Sequence, residues 1–327
     1  MYKRIIAQVV AALVFAFAIP ALAQEQQEQN EPLETLRVDV NVVNLYFNVK
    51  DKRGGLVAGL EKDAFQVFED GKPQTIKYFS READQPLTLG MLIDTSGSQS
   101  RVLGAEQEVG AQFLEQVLRP KDLAFLINFD VNVELVHDLT NSGKDLRSAL
   151  RTVKINTGGG SGGIPGMGGG PIPQSNPRGT LLYDAVYLAA GEKLKNEVGR
   201  KAMIILTDGE DQGSHETING AIEAAQKSDA ICYVLLIQDD AMYHGFGAGD
   251  MKKLAEQTGG RVIEVGNDEK KLRKALDQIS EELRTQYGVG YTPTNQKRDG
   301  SYRKVELKTV DRDLRVQARK GYYAPNK

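Results

Sequence analysis

The segment MLIDTSGSQS, residues 91–100, places oxygen-bearing side chains at alternate positions directly after an apolar run. Asp94 supplies a carboxylate, and Ser96 and Ser98 supply hydroxyls on either side of a glycine. An ordinary turn needs only one or two such residues, whereas hard divalent cations are bound by several oxygen ligands. This spacing therefore indicates a cation site at the end of a buried strand.

Two further oxygen-bearing residues occupy comparable places. Asp208 ends the apolar run AMIILTD, and Thr180 stands at the start of the helix-like segment TLLYDAV. In an open α/β sheet, ligands bind beyond the carboxyl ends of the strands. Two carboxylates and three hydroxyls are therefore expected to converge there, and every donor is an oxygen.

The acids near these positions have two interpretations each. Asp184, one helical turn after Thr180, is either an outer partner of the cation site or a local cap or solvated surface acid. Glu210 and Asp211 either extend an acidic rim or belong to an ordinary polar loop. None of the three is assigned as a ligand from the sequence.

The sequence predicts no catalytic residues and no bound cofactor other than a cation. Ser96 or Ser98 would be the nucleophile of a hydrolase, but neither lies in a G-x-S-x-G turn. His137, His215 and His244 are isolated in the sequence, and only His215 is a candidate general base. Zinc is disfavoured because nitrogen and sulfur donors are scarce at the predicted site. We therefore expect a protein that is not an enzyme.

Alternating strands and helices are expected to position this site. Apolar runs predict buried strands over residues 87–94, 123–129, 202–208, 230–237 and 261–265. Helical spacing marks residues 102–118, 180–195, 216–228, 250–257 and 268–285. This alternation predicts a doubly wound α/β domain with a mainly parallel sheet over residues 85–287.

The flanking segments, residues 35–84 and 288–327, have the alternation of antiparallel strands. Asp70-Gly71 and Asp299-Gly300 each indicate a hairpin turn. Neither segment has enough strands for a core of its own, and an inserted domain needs its two ends close together. We therefore expect the N- and C-terminal strands to form one small antiparallel β-sandwich that flanks the α/β domain or contains it as an insertion. Two separate β appendages are the alternative.

The N-terminus is typical of a secretory signal peptide over residues 1–23. Two basic residues precede an apolar stretch over residues 5–22, and a small-x-small site ends at Ala23. An uncleaved anchor is the alternative, but Pro20 and this site favour cleavage. Export to the periplasm or the extracellular space follows, with no membrane span in the mature chain and a polar linker over residues 24–34.

Composition is that of a soluble globular protein, with 40% hydrophobic and 26% charged residues. The formal net charge is −3, which argues against nucleic acid as a partner. Cys232 is the one cysteine, so an intramolecular disulfide is excluded and a buried structural thiol is expected. Residues 158–177 form a Gly/Pro-rich loop, which is either a spacer or a lid that contacts a ligand.

These motifs together resemble the von Willebrand factor type A (VWFA) domain. The likeness lies in D-x-S-x-S at residues 94–98, a threonine before a helix and an aspartate after a strand. In that family such residues form the metal-ion-dependent adhesion site (MIDAS). The resemblance implies a ligand set of Asp94, Ser96, Ser98, Thr180 and Asp208. The spacing from Asp94 to Thr180 is longer than usual, because the glycine-rich segment lies between them.

The flanking sequences FEDGKPQTIKYFS and RKGYYAP resemble exported bacterial VWFA-related proteins, notably from Acidobacteria. The resemblance implies a metal-dependent adhesion module that binds a carboxylate of a partner protein. The expected ion is Mg²⁺, with Ca²⁺ or Mn²⁺ as substitutes. An envelope scaffolding or regulatory protein, in which the last helix (268–285) biases the sandwich, is the alternative. The sequence identifies neither the partner nor the oligomeric state.

Overall fold

The computed structural model describes residues 42–81, 85–156, 179–237 and 247–326. The predicted signal peptide, the linker, the glycine-rich segment 158–177 and His244 lie outside the described residues. No helix in the described ranges is long and apolar enough to cross a membrane.

Strands in the described residues form three sheets. In chain order they are β1 (Val43–Lys50), β2 (Phe65–Glu69), β3 (Lys72–Gln74), β4 (Ile76–Arg81), β5 (Leu87–Asp94), β6 (Leu123–Phe129), β7 (Val133–Thr140), β8 (Arg200–Thr207), β9 (Ala230–Leu236), β10 (Val262–Glu264), β11 (Tyr287–Tyr291), β12 (Tyr302–Thr309), β13 (Arg315–Ala318) and β14 (Gly321–Tyr323). The helices are α1 (Leu103–Val117), α2 (Gly143–Leu150), α3 (Leu182–Leu188), α4 (Ile218–Lys227), α5 (Ala248–Thr258) and α6 (Glu269–Arg284). A π-helical stretch, Ala189–Leu194, continues α3.

The central sheet has six strands in the order β10-β9-β8-β5-β6-β7. Every residue of β5 and β8 is buried, because helices cover both faces of the sheet. Side chains of α1, α2 and α6 pack on one face, and side chains of α3, α4 and α5 pack on the other. The predicted fold class, a doubly wound and mainly parallel α/β domain with a flanking β-sandwich, is confirmed.

A glycine in the middle of β5 permits close packing within this sheet. A Cβ atom at Gly90 would lie 2.5 Å from Cζ of Phe125 on the neighbouring strand β6. The Phe125 side chain is fully buried, so its ring is enclosed by its neighbours. Gly90 therefore makes room for an aromatic ring below the carboxyl end of β5.

Two elements of the α/β domain were not predicted. Strand β7 pairs antiparallel with β6 at the edge of the sheet, and all of its residues keep some exposure. Helix α2 has only eight residues, of which Leu146 and Leu150 are buried. A half-exposed edge strand and a two-turn helix carry too few apolar residues for a clear periodicity.

The flanking strands form two four-stranded antiparallel sheets, β13-β1-β11-β4 and β14-β12-β2-β3. N-terminal and C-terminal strands lie side by side in both sheets, and their apolar side chains share one core. The Asp70-Gly71 hairpin is confirmed, because both residues have positive φ in the turn between β2 and β3. The Asp299-Gly300 hairpin is wrong, since β11 and β12 lie in different sheets and Asp299 instead bridges to Asn326.

The α/β domain is connected to the sandwich through two neighbouring strands. The chain leaves the sandwich after β4 and returns at β11, and these strands pair with Tyr287 opposite Arg81. Arg200, the first residue of β8, donates a hydrogen bond to the Leu283 carbonyl at the end of α6. The sandwich therefore adjoins the amino end of the central sheet, and Asp94 lies at the other end.

Candidate metal centre

The two central strands β5 and β8 bring the predicted acidic residues together. They are parallel neighbours with Ile93 opposite Leu206 in register. Asp94 is the last residue of β5, and Asp208 directly follows the last residue of β8. Both carboxylates therefore leave the sheet side by side at its carboxyl edge.

Four of the five predicted ligand residues form one continuous chain of hydrogen bonds. The Ser96 amide donates to Asp94 Oδ1 at 2.9 Å, and the Ser96 and Ser98 hydroxyls lie 2.9 Å apart. The Ser98 hydroxyl then donates to Asp208 Oδ2 at 2.6 Å. The turn after β5 is thus joined to the turn after β8 through the Ser98 hydroxyl and the Asp208 carboxylate.

This chain runs from the interior to the surface. Asp94 has no exposed area, whereas Ser98 is exposed. Burial, and then the charge of Asp208, raise the pKa of Asp94 to about 7, although hydrogen bonds from Ser96 and Thr207 act in the opposite direction. No basic side chain in the described residues forms an ion pair with Asp94. The ionised form of Asp94 therefore lacks a positive partner within the described chain.

Thr180, the fifth predicted ligand, lies at the same edge of the sheet but outside this hydrogen-bonded chain. Its backbone pairs with Gln212 in the loop after β8, at 2.9 and 3.1 Å. The next amide, of Leu181, donates to the carbonyl of Asp130 after β6. Asp130 in turn accepts a hydrogen bond from Thr95 at 2.8 Å. Thr180 is thus held between the loops that flank the Asp94 turn, with 6% of its surface exposed.

The acids beside the site join the loop after β8 to the first turn of helix α3. Asp211 accepts from the Tyr183 amide, and the Ser214 hydroxyl accepts from the Asp184 amide. Asp184 accepts from the backbone amides of His215 and Glu216, at 3.1 and 2.8 Å. These hydrogen bonds outweigh the opposing effect of burial and lower the pKa of Asp184. Asp211 therefore caps the first turn of α3, whereas Asp184, within α3, binds the backbone of residues 215–216.

Comparisons with known proteins show similarities of fold. The sequence matches no protein-family model and no curated protein. Among solved structures, the chain is similar to the conserved hypothetical protein BatB from Bacteroides thetaiotaomicron, with 17% identity, a TM-score of 0.45, and 60% of this chain and 97% of that chain covered. It is also similar to a von Willebrand factor type A protein from Catenulispora acidiphila, with 13% identity, a TM-score of 0.48, and coverage of 88% and 75%.

A third similar structure is proximal thread matrix protein 1 from the mussel byssus, which has a zinc-occupied MIDAS motif. Its identity to this chain is 14% and the TM-score is 0.49, with 66% of this chain and 50% of that chain covered. These are similarities of fold. In this chain itself, the D-x-S-x-S turn ends the central strand β5 and the second aspartate follows its neighbour β8, as the sequence resemblance predicted. The α/β domain is VWFA-like.

Among the described residues, the serines of the Asp94 turn do not pair with a histidine. The hydroxyls of Ser96 and Ser98 are engaged with each other and with Asp208. The His215 ring instead lies 3.2 Å from Asp184, and the His137 ring contacts the Asp138 carbonyl. The described residues thus give neither serine a histidine partner of the kind that activates a nucleophile.

Sequence reasoning missed three residues that contact or face the Asp94 turn. Thr207 donates a hydrogen bond to Asp94 Oδ2 at 2.8 Å. Gln99 and Glu106 are buried behind the turn, and both have oxygens without a hydrogen-bond partner. Glu106 had a signal in the sequence, because it falls on the same helical face as Val102, Val109 and Phe113.

The donor set of the VWFA-like domain fits a hard divalent cation. Among the described residues, no three His, Cys, Asp or Glu side chains are placed to hold a metal by themselves. A cation here would therefore draw on hydroxyl oxygens as well as on the two carboxylates. The buried Asp94, with its raised pKa, is the group that a positive ion would stabilise most.

Proposed function

We propose that this protein is a metal-dependent binding module of the adhesion type. Asp94, Ser96, Ser98 and Asp208 would hold the cation directly or through water, together with Thr180. The continuous chain of hydrogen bonds from buried Asp94 through exposed Ser98 to half-buried Asp208 is the observation that carries this proposal. It gathers oxygen donors at one point of the surface, at the end of the sheet where α/β proteins bind ligands.

The chemistry of the donor set favours Mg²⁺, with Ca²⁺ or Mn²⁺ as substitutes. When bound, the cation would supply a positive Lewis-acid centre for an oxygen ligand. Neutral serine and threonine hydroxyls leave more of the ion's charge uncompensated than additional carboxylates would. A carboxylate from a partner protein is therefore the ligand we expect at the exposed side of the site.

A binding role also suits the side chains that surround the site. The Ser98 hydroxyl donates a hydrogen bond to Asp208, and the His215 ring faces Asp184. A serine nucleophile would therefore first need different hydrogen-bond partners. We therefore propose that the protein does not act as an enzyme. We further propose that it is exported after cleavage near Ala23, which N-terminal sequencing of the mature protein from its source cells would test.

Peptide binding with matched acidic and neutral ligands tests the proposed function. A peptide library would contain each Asp or Glu sequence beside its Asn or Gln counterpart, and binding would be measured with Mg²⁺ and with EDTA. We expect only the acidic peptides to bind, and only when Mg²⁺ is present. The Ser98→Ala variant should not bind them. The exposed Ser100 supplies the matched control Ser100→Ala. Equal binding of acidic and neutral peptides, or binding that survives EDTA, would contradict the proposal.

A second candidate function, coupling of the site to the sandwich, is favoured by the contacts at the end of α6. Asn48 of β1 donates to the Glu282 carbonyl at 2.7 Å, and Lys50 of β1 pairs with the Glu282 carboxylate at 2.9 Å. Arg261 pairs with the same carboxylate at 2.8 Å. A displacement of α6 would therefore act directly on strand β1 of the sandwich.

Small-angle scattering tests this coupling. We expect the scattering profile to change when Mg²⁺ and an acidic peptide are added together. The change should be smaller in Lys50→Met, which keeps the aliphatic part of the side chain but removes the ion pair with Glu282. Identical profiles with and without both ligands would exclude a regulatory role of this kind.

A further inference from the structure

A carboxyl group without a partner lies inside the VWFA-like domain, on helix α1. Glu106 has no exposed surface, and neither of its carboxyl oxygens makes a hydrogen bond. Burial of a polar group without a hydrogen bond is costly, so such a residue needs an explanation. Glu108 on the same helix shows the ordinary arrangement, since it is exposed and bonds Arg147 and Gln112.

The packing of α1 on β5 places Glu106 near the Asp94 turn. A Cβ atom at Gly110 would lie 3.3 Å from the Met91 sulfur, which fixes the two elements against each other. Glu106 is about 6 Å closer to the start of the helix, and Ile93 is about 6.6 Å further along the strand. Because α1 runs back along β5, Glu106 faces the end of β5. The charge of Asp94 adds to burial in raising the pKa of Glu106 to about 8.

Gln99 gives a second, independent sign of a polar site behind this turn. It is 1% exposed, and its Oε1 atom has no hydrogen-bond partner. Its Nε2 atom lies 3.4 Å from the hydroxyl of Ser98, which is a predicted cation ligand. Glu106 and Gln99 together thus present three buried acceptor oxygens without a donor. A cation and the water that it retains are groups that would satisfy such acceptors.

We infer that Glu106 is a positioning residue of the cation site, and that Gln99 assists it. Their free oxygens act as an outer layer of acceptors behind Asp94 for a hydrated divalent cation. This inference rests on the proposed function, because it assigns two further residues to the same site. It differs from a purely structural role, since a buried carboxyl group without a hydrogen-bond partner costs stability instead of supplying it.

Substitution of Glu106 by its neutral isostere tests the inference. Affinities for Mg²⁺ and Mn²⁺ would be measured by calorimetry for the wild type, Glu106→Gln, Glu108→Gln and Asp94→Asn. We expect Glu106→Gln to weaken binding about tenfold, the usual effect of losing an outer partner of a metal site. Its melting temperature without cation should stay equal or rise, because Glu106 makes no hydrogen bond that the substitution could remove. Glu108→Gln, the exposed control, should bind as the wild type does.

The outcomes separate this inference from the cation site itself. Wild-type affinity in Glu106→Gln, with binding lost in Asp94→Asn, would overturn the role of Glu106 and leave the site intact. Absence of cation binding in the wild type would overturn both. If Glu106→Gln does not fold, Gln99→Met is the second variant, and it should weaken Mg²⁺ binding severalfold without lowering the melting temperature. Unchanged affinity in that variant would also count against the inference.

Discussion

Ser98 and Asp208 are joined by a hydrogen bond of 2.6 Å between Oγ and Oδ2, although 110 positions separate them in the sequence. Ser98 belongs to the turn after β5, and Asp208 belongs to the turn after β8. The contact exists because these strands are parallel neighbours in the centre of the sheet. It brings the D-x-S-x-S turn and Asp208, the first and the last parts of the predicted ligand set, together at the surface.

Removing either partner of this hydrogen bond is expected to weaken cation binding. Asp208→Asn keeps the shape of the side chain but removes one of two carboxylates, and Ser98→Ala removes a hydroxyl donor. We expect each variant to lose affinity for Mg²⁺ by on the order of tenfold or more. The measure is the rise in melting temperature as Mg²⁺ is added. Ser100→Ala should respond as the wild type does, and a full response in Asp208→Asn would contradict the predicted ligand set.

The stability of the cation-free protein is expected to fall as the pH rises. The pKa of Asp94 is raised to about 7 and that of Glu106 to about 8, both chiefly by burial. The folded protein therefore holds protons that the unfolded chain has lost, and this contribution to stability disappears as the pH rises through these values. Thermal unfolding in EDTA between about pH 5 and about pH 8.5 measures the effect.

Two comparisons identify the groups behind this pH dependence. Asp94→Asn should flatten the curve, because the amide cannot ionise. Saturating Mg²⁺ should also flatten or reverse it, since the cation stabilises ionised Asp94. A melting temperature that is independent of pH in EDTA would show that neither carboxyl group titrates in this range.

The sequence predicted the elements with strong periodicity and the residues that lie at their ends. Strand β5 is largely apolar before Asp94, so the position of Asp94 at its end followed from the pattern alone. Pairing of β5 with β8 is a property of the sheet order, which a single sequence does not specify. The convergence of Asp94, Ser98 and Asp208 was therefore predicted from the family resemblance and from the general rule for open sheets.

The sequence alone did not predict the features that depend on tertiary packing. Glu106 lies on the apolar face of α1, but its burial depends on how closely Gly110 packs on Met91. Strand β7 was missed because an edge strand exposed on one side has no uniform apolar run. We predicted a hairpin at Asp299 because the dipeptide Asp-Gly favours turns of several kinds. In the structure, Asp299 pairs instead with Asn326, a contact that the local sequence does not indicate.

The buried Arg319 is expected to fasten the sandwich to the VWFA-like domain. Its guanidinium donates to the Gln226 carbonyl at 3.1 Å, to Asp229 Oδ1 at 2.6 Å and to the Asn44 carbonyl at 2.7 Å. Arg319→Ala leaves all three acceptors without this donor, so we expect a loss of about 3 kcal/mol in the free energy of unfolding. Urea denaturation measures it. Arg312→Ala, at an exposed position before β13, is the control, and equal stability of both variants would contradict the prediction.

The requirement for a glycine at position 90 can be tested with a matched pair of glycine-to-alanine substitutions. Gly90→Ala places a methyl group 2.5 Å from the Phe125 ring, so we expect it to destabilise the protein by about 1–3 kcal/mol through overpacking. A Cβ atom at Gly104 on α1 meets no other atom within 4 Å, so Gly104→Ala should stabilise the protein by about 0.5–1 kcal/mol.

A second substitution separates overpacking from other effects of the alanine. In the double variant Gly90→Ala/Phe125→Leu, the smaller leucine should accept the methyl group. The cost of Gly90→Ala should therefore be smaller in that background than in the wild type, by an amount that the double-mutant cycle measures. Equal costs in both backgrounds would mean that the Phe125 ring does not set the requirement for glycine. The backbone of β5 would then have to impose it, even though Gly90 is not among the glycines with positive φ.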